Sequence, residues 1–250
     1  MRTLISATGL ALALTVILSA CDNPAGAVKA AAQTTQNLVR PGLGEDPGAP
    51  EVTSFTLPEG VRLAGTIRGA DEVSGLCENT DAEGHGSGVY VRICVPLENL
   101  TGGPVQIEFP AGLVVVATSE GRAQNGLLIE RTLLTLPPTV RGGGGCRRPE
   151  EDAQQATSRQ DKADDPCAHI VPLYLYCLNE ERDPSNPYIT YAIAGVTTDR
   201  ALQEVLRLLE GRKVSDIEHV SAVQNALYSI TERRGVTRED ISLINRIPKA

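Results

Sequence analysis

The stretch Val89-Tyr90-Val91-Arg92-Ile93-Cys94-Val95-Pro96-Leu97 decides the fold class, because it is apolar at every second position. Period two places Val89, Val91, Ile93, Val95 and Leu97 on one face of a strand, with Tyr90, Arg92, Cys94 and Pro96 on the other. Downstream, Val105, Ile107 and Phe109 alternate with Gln106 and Glu108 in the same way. Residues 112–117 and 127–136 are apolar runs of strand length bounded by turn residues, and the run 170–178 ends the series. Short strands punctuated by many of the 24 Gly and 16 Pro predict an antiparallel β-sandwich or barrel-like body over residues 51–195.

After residue 195 the period becomes helical. Leu202, Val205, Leu206 and Leu209 fall on one helix face, with Thr198 as the expected N-cap and Gly211 as the stop. Ser215-Asp216-Ile217-Glu218 has the form of a capping box that opens a helix running to about Arg234. Thr237 to Asp240 cap a last short helix, which Pro248 ends. The prediction is an α+β chain: a β body, then a small helical subdomain over residues 196–250.

Upstream of the body, Met1-Arg2-Thr3 gives a positive start and residues 4–18 are almost wholly apolar. The run is short for a bilayer span, and Leu18-Ser19-Ala20-Cys21 supplies small residues at a cleavage point, so residues 1–20 read as a secretory signal. The Leu-Ser-Ala-Cys order resembles the bacterial lipobox, which makes Cys21 the expected site of acylation. Several acyl chains hold a protein stably, at about 0.8 kcal/mol per buried methylene. The expected location is therefore the bacterial envelope, with the membrane as a partner through the lipid. Residues 21–50 carry almost no large apolar side chains and read as a flexible tether.

Removing residues 1–20 takes away only Arg2, leaving 22 basic and 31 acidic groups, a formal −9. That balance and the absence of Trp argue against nucleic acid as a partner. Gly142 to Gly145 lack the Lys-Ser/Thr of a phosphate loop, and three scattered His show no zinc spacing. No cofactor and no metal are expected.

With Cys21 acylated, Cys77, Cys94, Cys146, Cys167 and Cys177 remain, an odd number in a compartment that permits disulfides. Five cysteines allow fifteen ways to make two bridges. The sequence-near pairs are Cys77 with Cys94, around a Gly-rich loop, and Cys146 with Cys167. The latter bracket a loop insertion, 147–166, in which ten of twenty residues are charged. Cys177 is then the free thiol. Strand phase places it with Val171, Leu173 and Leu175, opposite Tyr174 and Tyr176. In the helix expected from residue 215, the apolar stripe runs Ile217, Val220, position 224, Leu227, and position 224 is Gln. A carboxamide on a core stripe needs a partner, either backbone or the unpaired thiol.

These residues resemble the internal-thioester domains of bacterial surface adhesins. Such domains carry a Cys flanked by an aromatic or Leu and an apolar residue, late in a β body. A helix follows with Thr-Gln-x-x-apolar-Trp. Tyr176-Cys177-Leu178 matches the first element; Val223-Gln224-Asn225-Ala226-Leu227-Tyr228 matches the second at Gln224 and Leu227, with Val223 and Tyr228 as departures. The similarity covers residues 170–245. It implies a thioester between Cys177 and Gln224, shielded by Tyr228, that captures a Lys or another surface amine of a partner protein. The alternative is a structural or interaction lipoprotein that binds without covalent chemistry, with Cys177 and Gln224 as core residues. For a Cys–His hydrolase built on Cys177 with His169 or His219, nothing in the sequence places a His and an orienting Asn or Asp around that thiol, so no enzyme is expected.

Overall fold

The computed structural model describes residues 40–71, 77, 83–119, 122–140, 167–232 and 235–250. The expected signal segment 1–20, Cys21, the expected tether as far as residue 39, Cys146 and the charged insertion 147–166 lie outside the described residues. Within them the strands are β1 (Val52–Thr53), β2 (Val61–Leu63), β3 (Ile67–Ala70), β4 (Val91–Asn99) and β5 (Val105–Phe109). They continue with β6 (Leu113–Ala117), β7 (Gly126–Leu127), β8 (Thr132–Leu136), β9 (His169–Cys177) and β10 (Thr190–Thr197). The helices are α1 (Arg200–Leu209), α2 (Ile217–Thr231) and α3 (Arg238–Arg246).

The α+β class is as expected, and of the two β architectures the chain adopts the barrel. Strands β3, β4, β9, β7, β6 and β10 pair antiparallel in that order, and β10 returns to β3 to close the ring. Closure leaves no open edge in the ring. β1 adds to β10 and β2 to β4, while β5 and β8 form a separate two-stranded ribbon. Alternation divides the apolar side chains between two cores. Val91, Ile93, Val95, Leu97, Val115, Leu173, Leu175 and Cys177 share one with Ile107 and Phe109 of the ribbon. Val114, Leu127, Tyr176 and Leu178 face the other way, onto Leu202, Val205, Val223, Leu227 and Ile244 of the helices. The cross-link Cys77–Cys94 is present and ties the segment after β3 to the middle of β4.

Several elements depart from the sequence reading. The strand series does not end at residue 178: β10 follows and closes the barrel. Its small residues, Ala192, Ala194 and Gly195, obscure the alternation, and the register shifts between Ile193 and Gly195. Gly195 has φ +143°, and a Cβ there would lie 2.2 Å from the Thr53 oxygen, so β1 is seated against it. The run 127–136 divides into β7 and β8, with residues 128–131 carrying the chain from barrel to ribbon. Gly126 sits where the barrel is filled, since a Cβ would meet Val91, Leu175 and Val115 at 2.9–3.0 Å.

At the helices, Asp199 replaces Thr198 as N-cap of α1, its side chain accepting from Ala201 and Leu202. Asp216 caps α2 by accepting from the His219 amide, and the helix ends at Thr231, short of Arg234. Ile217, expected on the apolar stripe, is 67 % exposed, its neighbours Asp216 and Glu218 are exposed too, and burial on α2 begins at Val220. The capping box of Thr237 and Asp240 on α3 is formed as expected.

Residues 40–50 correct the tether boundary: they pack on the body. Arg40 is buried and bonds Asp199 at 2.5 Å, and Leu43 is inserted in the helix-side core. Composition made the segment look unable to fold alone. Its order comes from groups of the body, Asn125, Asn179 and Asp199.

Candidate functional site

Cys177 is the last residue of β9. The Leu178 amide donates to the Asn125 oxygen beside β7, so alternation turns the N–H and C=O of Cys177 to the opposite side. That side belongs to β4, whose first residue, Val91, lies opposite Leu175. Cys177 therefore has two main-chain groups that β4 does not reach, in a fully buried position. Gln224, on α2 and 3 % exposed, satisfies both. Its Oε1 accepts from the Cys177 amide at 3.0 Å, and its Nε2 donates to the Cys177 oxygen at 2.9 Å. The carboxamide thus acts as a short continuation of β4: of the two partners expected for Gln224, backbone or thiol, it takes the backbone, that of Cys177 itself.

Cys177 is a free thiol, whereas Cys167 is disulfide-bonded and its expected partner, Cys146, is outside the described residues. The Cys177 Sγ accepts from the Asn179 amide and donates to the Asn179 oxygen, each at 3.2 Å. Tyr228, one turn beyond Gln224, packs with Cys177 against the barrel core, its hydroxyl near enough to the sulfur to influence it. Burial pushes the thiol up to about 11, against the partial relief that the Tyr228 hydroxyl supplies. Burial also raises Tyr228 above the usual tyrosine range. At pH 7 only about 10⁻⁴ of such a thiol is ionised. His169 opens β9, so at about 3.3 Å per residue it lies roughly 26 Å from Cys177. His219 is held against Asp216 at the start of α2, at 3.0 Å. The structure brings neither imidazole to the thiol.

Sequence reasoning missed the side chains that frame this pair. Asn179 is fully buried; its Oδ1 accepts from the Asn125 amide at 2.8 Å, and its Nδ2 donates to the Gly44 oxygen at 2.6 Å. Asn125 donates from Nδ2 to the Gly42 oxygen at 2.9 Å. An Asn two residues after the odd cysteine was the available signal. On the other face of β9, the Tyr176 hydroxyl meets Ser87 Oγ at 2.8 Å, and Ser87 donates to Glu130 Oε1.

Glu130 Oε2 is buried without a hydrogen-bond partner among the described residues. Burial raises the Glu130 carboxyl above 4.5, more than the Ser87 bond lowers it. A carboxyl raised on folding stabilises the fold fully below 4.5, and that contribution is lost as pH rises through the folded value. Glu130→Gln should therefore raise the Tm at pH 7, and the gain should vanish at about pH 4. Thermal melts of both chains across that range check this; an equal gain at every pH would refute it.

Comparison with protein-family models, characterised proteins and solved structures finds no match to this chain.

Proposed function

We propose that this chain is a lipid-anchored attachment protein of the bacterial envelope, whose barrel and helices carry an internal thioester between Cys177 and Gln224. The observation that supports the reading is the paired hydrogen bonding of the Gln224 carboxamide to the very residue whose thiol is free. The carbonyl carbon to be attacked is held at the nucleophile's own main chain, so the reaction is intramolecular. Holding the two groups together in this way favours their reaction over that of free reactants, which works against the small thiolate fraction. The Cys177 Sγ attacks the Gln224 side-chain carbonyl, the C–N bond breaks, and ammonia leaves with the thiol proton. A partner amine then attacks the thioester, an amide bond forms at position 224, and the Cys177 thiol is released. Tyr228, packed against the core that holds Cys177, would shield the thioester from water. Anchoring at Cys21, with residues 22–39 as the tether, would present this chemistry at the membrane surface.

A second reading is favoured by the same two bonds. They give the carboxamide oxygen and nitrogen one buried partner each, which is what a non-covalent body with Cys177 and Gln224 as core residues requires.

The intact mass of residues 22–250, exported to an oxidising compartment and measured with and without methylamine, separates the two. A thioester removes the mass of one ammonia beyond the disulfides, and methylamine adds its own mass at Gln224. A mass explained by disulfides and one alkylatable thiol would leave the non-covalent reading.

A further inference from the structure

We infer that residues 40–50 are a latch over the Cys177 site, and that release of this strap, rather than opening of the barrel, admits an amine to it. As a control on that site, the latch rests on the reading that Cys177 and Gln224 react. The strap folds onto itself through Leu43 N–H to the Arg40 oxygen and Gly42 N–H to the Asp46 oxygen, both 3.1 Å. Its hold on the body is largely polar. Gly44 N–H donates to the Leu178 oxygen at 2.8 Å, Asn125 and Asn179 grip the Gly42 and Gly44 oxygens, and Arg40 pairs with Asp199. Leu43 is its one large apolar side chain.

The strap therefore binds the two residues on the C-terminal side of Cys177, and one of them, Asn179, cradles the sulfur with its main chain. Releasing the strap removes the acceptors of the Asn179 side chain and uncovers Leu178. A segment with one apolar anchor and polar bonds belongs to the low-stability end of local opening, whereas β4 and β9 sit at the high end.

The test uses the exported chain carrying Gln224→Glu. Its carboxyl is what hydrolysis of a thioester would leave, so the Cys177 thiol is free whether or not the native chain forms the bond. Alkylation of Cys177 by iodoacetamide, mapped by peptide, is compared with hydrogen exchange of the Gly44 amide and of β4 and β9. Cys177 protection should agree with that of Gly44 to within roughly threefold and be at least about 100-fold weaker than that of β4 and β9. Cys177 protection equal to that of the barrel strands would overturn the latch.

Gly44→Ala supplies the second arm. Gly44 has φ +56°, and a Cβ there would lie 2.4 Å from the Thr231 oxygen, so the substitution unseats the strap. Exchange at position 44 and alkylation of Cys177 should rise together by about tenfold or more, with β4 and β9 unchanged. A released strap with unchanged alkylation, or a rise shared by the barrel strands, would overturn the proposal. With Gln224 retained, Gly44→Ala should accelerate methylamine uptake by the same factor. Failure of that last arm alone counts against the thioester and leaves the latch standing.

Discussion

Replacing Cys177 or Gln224 by alanine should each abolish methylamine incorporation, and each should lower stability by about 4 kcal/mol, the chain-entropy contribution of a cross-link closing a loop of this length. The two residues are 47 apart in sequence. The double variant discriminates further. If a thioester joins them, each substitution removes the same bond, so the double variant should cost far less than the two singles added. If the pair is only packed, Cys177→Ala keeps the main-chain N–H and C=O that Gln224 bonds. Cys177→Ala would then cost on the order of 1–2 kcal/mol. Gln224→Ala would cost roughly 2–6 kcal/mol, because two buried main-chain groups lose their partner. The two costs would then add to within about 0.5 kcal/mol. Denaturant unfolding of four chains gives the answer, and additive costs would remove the thioester even if labelling were disputed.

The parts of the fold legible in the sequence are those where one face of a strand is buried and the residues are large. β4 and β5 show period two because Val, Ile, Leu and Phe fill the core at alternate positions, while β6, buried on both faces, shows as a continuous apolar run. β10 was not legible because a barrel closing on itself brings backbones together. It needs Gly195 beside Thr53, and small residues carry little hydropathy pattern. The strap was illegible for a different reason. Its composition is that of a linker, and the groups that order it, Asn125, Asn179 and Asp199, come from elements distant in sequence.

The Cys177–Gln224 pair was legible because each residue breaks a local rule: one is the odd cysteine, the other a polar side chain on an apolar stripe. What could not be read was the geometry of their meeting. Sequence placed Gln224 near the thiol; the structure places its carboxamide on the main chain of Cys177, where β4 starts too late to pair. That arrangement depends on the register Val91 opposite Leu175, a long-range property with no local signature. Ser87 escaped notice because a single polar residue announces nothing until its neighbours are known, and Asn179 because its one signal, its place two residues after the odd cysteine, does not say what it bonds.

Gly88→Ala should destabilise the chain by about 3 kcal/mol or more, near the upper end for overpacking, with a Tm fall of roughly 6–12 °C. A Cβ at Gly88 would lie 2.0 Å from both the carbonyl carbon and oxygen of Leu175. Those are main-chain atoms of β9, fixed by their pairing with β4, so no rotamer change relieves the clash. The segment 84–88 must instead lift from β9. It would lose His85 N–H to the Pro172 oxygen at 3.0 Å and Tyr174 N–H to the His85 oxygen at 2.7 Å. Ser87 would leave Tyr176, and Glu130 would lose the hydroxyl that bonds its carboxyl. Gly102→Ala is the matched control, because nothing lies within 4 Å of a Cβ there, and it should stay within about 0.5 kcal/mol of the parent. Thermal melts of the two variants side by side decide the matter. A tolerated Gly88→Ala would mean that residues 84–88 are not seated on β9, and that the Ser87 link between Tyr176 and Glu130 does not hold the strand bearing Cys177.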